Sequence, residues 1–142
     1  MVAINYVAIA VCTVINMVLG GLWYSPLLFG SIYAKLMGFD LKKMMSDPTI
    51  QKNVQKGYII SSICHLIMTI VMAHFLQYTG ISGSWFDGLK FGFSCWLGFT
   101  LTTMLPNHIF SKTNFSWLLA AINLGYPMVG LSIAGAILSA WH

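Results

Sequence analysis

The chain has 142 residues, 58% of them hydrophobic and only 7% charged, against roughly 25% charged in an ordinary soluble domain. Its net charge of +4 comes from seven Lys and three Asp, with no Arg and no Glu. That composition excludes a water-soluble fold, and without a basic stripe or any bidentate arginine it excludes nucleic-acid binding. The ten charges leave uncharged runs at residues 1–34, 57–86, 91–111 and 113–142. Each is long enough for a transmembrane helix, which takes about 20 apolar residues. The expectation is an all-α polytopic membrane bundle: residues 1–142 as one domain of four transmembrane helices, with an interfacial amphipathic helix after the first span and membrane lipid as the surrounding partner.

Span 1 is expected over residues 4–24. Asn5, Cys12, Asn16 and Gly20 recur along it near helical spacing and predict a side turned toward other helices. With no basic stretch before it and no small-x-small cleavage pattern after it, it reads as a retained span. Ser25-Pro26 reads as an N-cap followed by proline at the first helical position. This predicts a short helix over residues 26–37, with Phe29, Ile32, Tyr33, Leu36 and Met37 on one apolar stripe and an interfacial position. Asp47-Pro48 repeats the start signal, so the second transmembrane helix begins outside the hydrocarbon and crosses it over residues 57–78. Residues 80–84 form a turn. Span 3 covers residues 85–105 and ends at Pro106-Asn107, with Lys90 snorkelling outward from its first turns. Span 4 covers residues 117–141, with a kink at Pro127.

Loop 1-2 carries Lys35, Lys42, Lys43, Lys52 and Lys56, against one lysine in each of the other loops, Lys90 and Lys112. Lysine bias therefore puts loops 1-2 and 3-4 in the cytoplasm and both termini outside. Trp23, Trp85, Trp117 and Trp141 fall near span ends, as an aromatic belt does. Gly88 and Gly92 form one small-xxx-small pair, and Ser132, Ala136 and Ala140 a second stripe. Such surfaces let helix backbones approach within a subunit or between subunits, and a homo-oligomer is expected.

Several segments carry a resemblance: Asn5 followed by an aromatic, the run from Gly21 to Gly30 with Trp23-Tyr24-Ser25-Pro26 at its centre, Trp96-Leu97-Gly98-Phe99, Ile122-Asn123-Leu124-Gly125-Tyr126, Gly135 to Leu138, and Trp141. Together they resemble the bacterial membrane proteins of the domain of unknown function 1761 family, over nearly the whole chain. The resemblance implies a small four-span protein of the bacterial inner membrane with no assigned activity.

Chemistry needs polar groups where they can act. No Asp or Glu falls in the uncharged runs, which removes a carboxylate-based proton relay. There is no CxxC, HExxH or phosphate loop, and Cys12, Cys64 and Cys95 have no paired spacing. An enzyme is not indicated, and no cofactor or metal is expected. His65 and His74 are nine residues apart, about 900° of helix, and so lie on opposite faces. His65 sits mid-span with Ser61, Ser62, Thr69 and Met72 at helical spacing. It either hydrogen-bonds another helix, lines a solute or proton pathway, or ligates a cofactor. Asn16 and Asn123 are amides that hydrocarbon would leave unpaired at a cost of several kcal/mol. Both fall in the cytoplasmic half of their spans, so they can meet at one level. Tyr126 lies one turn further on, and Pro127 frees a carbonyl near Asn123.

Asn16, His65, Asn123 and Tyr126 therefore form the candidate intramembrane site, or else an interhelical clasp. Trp23, Tyr24, Ser25 and Pro26 form an interfacial turn. Gly88, Gly92, Ser132 and Ala136 are helix-contact positions. Three function classes remain: a small-solute or ion pathway, which the polar inventory favours; an accessory membrane protein; and a membrane-embedded enzyme or cofactor binder using His65.

Overall fold

The structure, a computed structural model, describes residues 4–40, 46–111 and 115–141. Lys42, Lys43, Lys112 and His142 lie outside the described residues. All regular structure among them is helical: α1 (Tyr6–Trp23), α2 (Gly30–Met37), α3 (Pro48–Thr79), α4 (Trp85–Cys95), a π-helical segment (Trp96–Leu101), α5 (Thr102–Ile109) and α6 (Trp117–Ala140).

Local chemistry fixes most boundaries. The Asn5 side chain accepts from the amides of Val7 and Ala8, and Asp47 accepts from Thr49 ahead of Pro48. Ser84 and Ser116 cap α4 and α6 in the same way. These caps satisfy amide donors that a helix start leaves orphaned. At the other ends, Gly38 and Gly80 close α2 and α3 in the left-handed region, at φ 71° and 69°, which glycine enters without a Cβ penalty.

Two expected boundaries are corrected. The helix expected from Pro26 begins at Gly30, because Ser25–Phe29 is held as a turn. Phe29 donates to the Trp23 carbonyl and Gly30 to that of Ser25, at 3.1 and 2.9 Å. Gly30 is packed so closely on the backbone of Tyr24 and Ser25 that a Cβ there would collide with it. The chain also passes Pro106 without stopping, and helix continues to Ile109. The π segment upstream shifts the hydrogen-bond register, and threonines take up displaced carbonyls: Thr102 donates to Gly98 and Thr103 to Phe99, at 2.7 and 2.6 Å.

Helices α1, α3 and α6 are each long and apolar enough to cross a membrane. The π segment divides the helix from Trp85 to Ile109 into parts that are each too short to do so alone, so three such helices stand where four spans are expected. The core lies between α1, α3 and α6, where Ala8, Cys12, Thr69 and Ala134 are fully enclosed and Met72 and Leu76 close around them. Helix α4 packs along the second half of α6. Gly88 abuts Gly135 and Ser139, and Gly92 abuts the backbone of Leu131 and Ser132, so closely that a Cβ on any of the three glycines would meet backbone. The Gly83 amide and the Ser139 hydroxyl tie the α3–α4 turn to the end of α6, at 2.7 and 2.8 Å.

The seam therefore runs through Leu131, Gly135 and Ser139. Ser132 is at its edge, Ala136 is half-buried with its carbonyl toward the Ser139 hydroxyl, and Ala140 is exposed. Phe29 and Tyr33 of the α2 stripe turn onto Trp23 and Tyr24, with ring centroids 4.8 and 5.1 Å apart. Ile32 and Leu36 face outward. Lys90 pairs with Asp87 at 2.6 Å at the exposed start of α4.

Candidate functional site

The first half of α6 meets its neighbours through aromatic side chains and carries Pro127. Proline has no amide to donate to the carbonyl four residues back, so the Asn123 carbonyl loses its helical donor. Two indoles reach carbonyls beside that point. Trp23 donates to Ile122 and Trp96 to Leu124, each at 2.9 Å. Between them the Tyr24 hydroxyl donates to the Asn123 side chain at 3.0 Å. The Trp23-Tyr24 part of the turn thus binds α6. Ser25 stays local, donating to the Leu22 carbonyl at 2.7 Å and accepting from the Leu27 amide, while Pro26 is exposed.

Tyr126 joins the other two members of the expected site. Its hydroxyl lies 3.0 Å from the Asn16 main-chain oxygen and 2.6 Å from His65 Nε2. One hydroxyl proton cannot serve both acceptors. All three groups are satisfied together when Tyr126 donates to Asn16 and His65 carries its proton on Nε2 and donates to the Tyr126 oxygen. His65 Nδ1 is then a bare acceptor, buried and, among the described residues, without a hydrogen-bond partner. Gly20 makes the approach possible, since a Cβ there would stand 3.0 Å from the Tyr126 hydroxyl oxygen.

The four expected residues do not converge on one point. Asn16 is 2% exposed; its amide donates to the Cys12 carbonyl at 3.0 Å and its side-chain oxygen lies against Gly130. Asn123 meets Tyr24 instead. The Tyr24 and Tyr126 rings, 6.0 Å apart, connect the two halves. Of the polar strip on α3, Thr69 is buried and donates to the His65 carbonyl, and Ser62 donates to Tyr58. His74 is bonded to the Ile70 carbonyl at 2.8 Å through Nδ1. Among the described residues, no three of His, Cys, Asp and Glu come together as a metal site.

Beside the Tyr126–His65 contact is a cavity of about 430 Å³, open on one side. Met17, Gly20 and Tyr24 line it from the α1 side and Tyr33 from α2. Val54, Gly57, Tyr58, Ser61 and His65 line it from α3, and Tyr126 from α6. Beyond Tyr126, Cys12, Asn16 and Thr69 fill a buried layer between α1, α3 and α6, and a separate open cavity of about 270 Å³ lies between α3 and the π segment, among Met68, Met72, Phe99 and Leu131. At the opposite end of the molecule a smaller recess of about 50 Å³ lies among Asn5, Gln77, Ser82 and Trp141.

Sequence reasoning missed Tyr33, Tyr58 and Trp96 as site residues. Tyr58 and Ser61 precede His65 by seven and four residues and so share its face, a signal within reach. Tyr33 and Trp96 carry no such local mark, since their roles depend on which helix they meet. No protein of curated function and no solved structure matches the chain. Residues 7–139 match the family described as Protein of unknown function (DUF1761), and the chain belongs to that family.

Proposed function

We propose that the chain is a four-span protein of the bacterial inner membrane that binds a small uncharged solute in the tyrosine-walled cavity, the inner vestibule of a solute pathway. The helix from Trp85 to Ile109 serves as the third span, its π segment joining the two parts into one crossing. Helix α2 lies in the interface and the termini face outward. The lysine-rich end of the bundle faces the cytoplasm, as lysine bias favours. The single observation that carries the reading is the 430 Å³ cavity beside His65, a volume within the range of about 300–1,000 Å³ typical of small-molecule sites. An intramembrane hollow edged with hydroxyls and an imidazole costs stability unless something polar occupies it.

In this state the packed layer of Cys12, Asn16 and Thr69 closes the way to the outer recess. The glycines of the α4–α6 seam are consumed inside the chain, so the pathway needs no second copy to use them.

The test is single-cysteine labelling in a background lacking Cys12, Cys64 and Cys95. With an impermeant thiol reagent, Ser61→Cys is expected to react in inside-out vesicles and not in intact cells, and Ser82→Cys the reverse. Ser61→Cys unreactive from either side would show a sealed cavity and overturn the reading. Stopped-flow light scattering of proteoliposomes with glycerol and urea then measures flux. A permeability equal to that of protein-free liposomes for both would leave a binding protein without a pathway for these probes.

A further inference from the structure

The chemistry of the cavity wall also restricts what it can hold, and this step rests on the binding reading above. Tyr24, Tyr33, Tyr58 and Tyr126 present aromatic rings to the cavity. Tyr24 and Tyr126 spend their hydroxyls on Asn123 and on the Asn16–His65 pair. Among the described residues, the hydroxyls of Tyr33, Tyr58 and Ser61 have no hydrogen-bond partner. The wall thus offers three uncommitted O–H donors around a mainly apolar space bounded by four tyrosines.

Among the described residues it offers no charge. At about 100° per residue, Lys52 and Lys56 lie roughly 160° and 200° around α3 from Val54, and Lys35 roughly 200° around α2 from Tyr33. The lysines nearest the cavity along α2 and α3 therefore point away from its lining, yet their summed potential disfavours a cation at its mouth. An organic cation would otherwise suit a cage of aromatic faces, but no carboxylate lines this one to neutralise it. Among the described lining residues, an anion would meet the negative faces of the rings without a lysine or arginine to hold it.

We infer that the cavity binds an uncharged planar ring bearing carbonyl oxygens, the chemistry of a membrane-soluble quinone. The ring lies among the tyrosines, and its oxygens accept from Tyr33, Tyr58 and Ser61. The cavity follows α3 from Val54 to His65, across the boundary between its lysine-bearing end and its apolar stretch. A ligand dissolved in the bilayer reaches that depth with its tail still in lipid.

The experiment titrates menadione, a tail-less naphthoquinone, into the full chain in phosphatidylcholine nanodiscs and follows quenching of tryptophan emission. Trp23 reports on the site, its ring centroid lying 6.5 Å from that of Tyr126. Quenching is expected to saturate above that of empty-nanodisc controls. It should be lost in Gly57→Phe, which fills the cavity at a position where a new Cβ meets nothing within 4 Å. The pair Tyr58→Phe with Ser61→Ala removes two donors without adding bulk and should weaken binding about tenfold.

Three ring isosteres competing against menadione test each element of the inference. 2-Methylnaphthalene lacks the carbonyls, N-methylquinolinium is a cation and 2-naphthoate is an anion. Each is expected to displace menadione and restore emission with an apparent affinity at least about tenfold weaker than that of menadione. Equal competition by 2-methylnaphthalene would overturn the hydrogen-bonding role, and stronger competition by either ion would overturn the neutral-ligand assignment. Quenching that persists in Gly57→Phe would place the ring elsewhere. Absence of saturable quenching, with Ser61→Cys reactive, would overturn the ring class and leave the open cavity standing. Absence of both would overturn the two readings together.

Discussion

The two halves of α6 are built by opposite means. Its second half meets α4 through Gly88, Gly92, Gly135 and Ser139, with backbone against backbone. Its first half meets the end of α1 and α3 through Trp23, Tyr24 and Tyr126, with Tyr33 of α2 against Tyr24, and the contacts there are long side chains with polar tips. In lipid, apolar burial gives helices little reason to associate, and close packing or hydrogen bonds must do it. Packing through glycine leaves no space. Bracing through tyrosine holds helices apart at fixed distances, and the cavity is the space left between the braces. One helix thus joins a rigid seam to a hollow site.

The sharpest way to break this contrast is to add bulk to the seam. Gly135→Leu or Gly92→Leu is expected to cost about 3 kcal/mol or more, at the upper end of the effect of overpacking, because the atoms met are backbone and have no rotamer to change. Thermal unfolding in detergent micelles checks it. A transition unchanged in both variants would mean that α4 and α6 do not touch there. By contrast, Gly57→Leu on the cavity side meets open space and should unfold close to the wild type.

How much of this contrast could be read beforehand depends on how far each signal extends along the chain. The caps at Asp47-Pro48 and the left-handed ends at Gly38 and Gly80 are local, so sequence states them. The Gly88/Gly92 pair also declares a close approach, but the partner face on α6 is set by how the two helices rotate against each other, and Gly135 with Ser139 takes the place expected of Ala136 and Ala140. Pro106 reads as a stop because proline alone usually breaks a helix; the chain passes it after a π segment in which the Gly98 and Phe99 carbonyls accept from the Thr102 and Thr103 hydroxyls, a shift of register that no residue pattern declares. Tyr126, His65 and Asn16 were visible as intramembrane polarity. Their geometry was not, since the Tyr126 hydroxyl meets the backbone of Asn16 and not its amide, and any side chain at position 16 presents that oxygen.

The second effect in size belongs to the braces. Tyr126→Phe removes one hydroxyl with two neighbours and leaves His65 without a hydrogen-bond partner at either ring nitrogen. The expected loss is about 1–2 kcal/mol, the upper range for side-chain hydrogen bonds between membrane helices. Unfolding in mixed micelles reads it. A second measurement, the imidazole nitrogen shifts of ¹⁵N-histidine-labelled protein, should change at His65 and stay fixed at His74, which bonds its own helix. Unchanged His65 resonances would sink the Tyr126 contact.

Trp96→Phe comes next. It preserves the ring and removes the indole donor to Leu124, beside the acceptor that Pro127 leaves unmatched. A net cost of about 1 kcal/mol follows. Coupling it with Trp23→Phe sharpens the comparison, because both indoles support one proline-containing stretch. Losses that simply add would assign them to independent contacts, whereas a non-additive cycle would show that the stretch yields as a unit.

The smallest effect on stability falls on the residue most concerned with binding. Tyr58 is 50% exposed, and among the described residues its hydroxyl bonds to nothing, so Tyr58→Phe removes no contact that holds the helices together. Its unfolding transition is expected within about 0.5 kcal/mol of the wild type, in contrast to Tyr126→Phe on the opposite wall of the same cavity. If the hydroxyl serves a ligand, the loss shows only in binding, as weaker saturation of tryptophan quenching by menadione at unchanged fold. If Tyr58 is instead a brace like Tyr126, stability falls and binding falls with it. Measuring both quantities on both variants separates a side chain that builds the cavity from one that uses it. A stability loss in Tyr58→Phe as large as that in Tyr126→Phe would erase the distinction between brace and binding group.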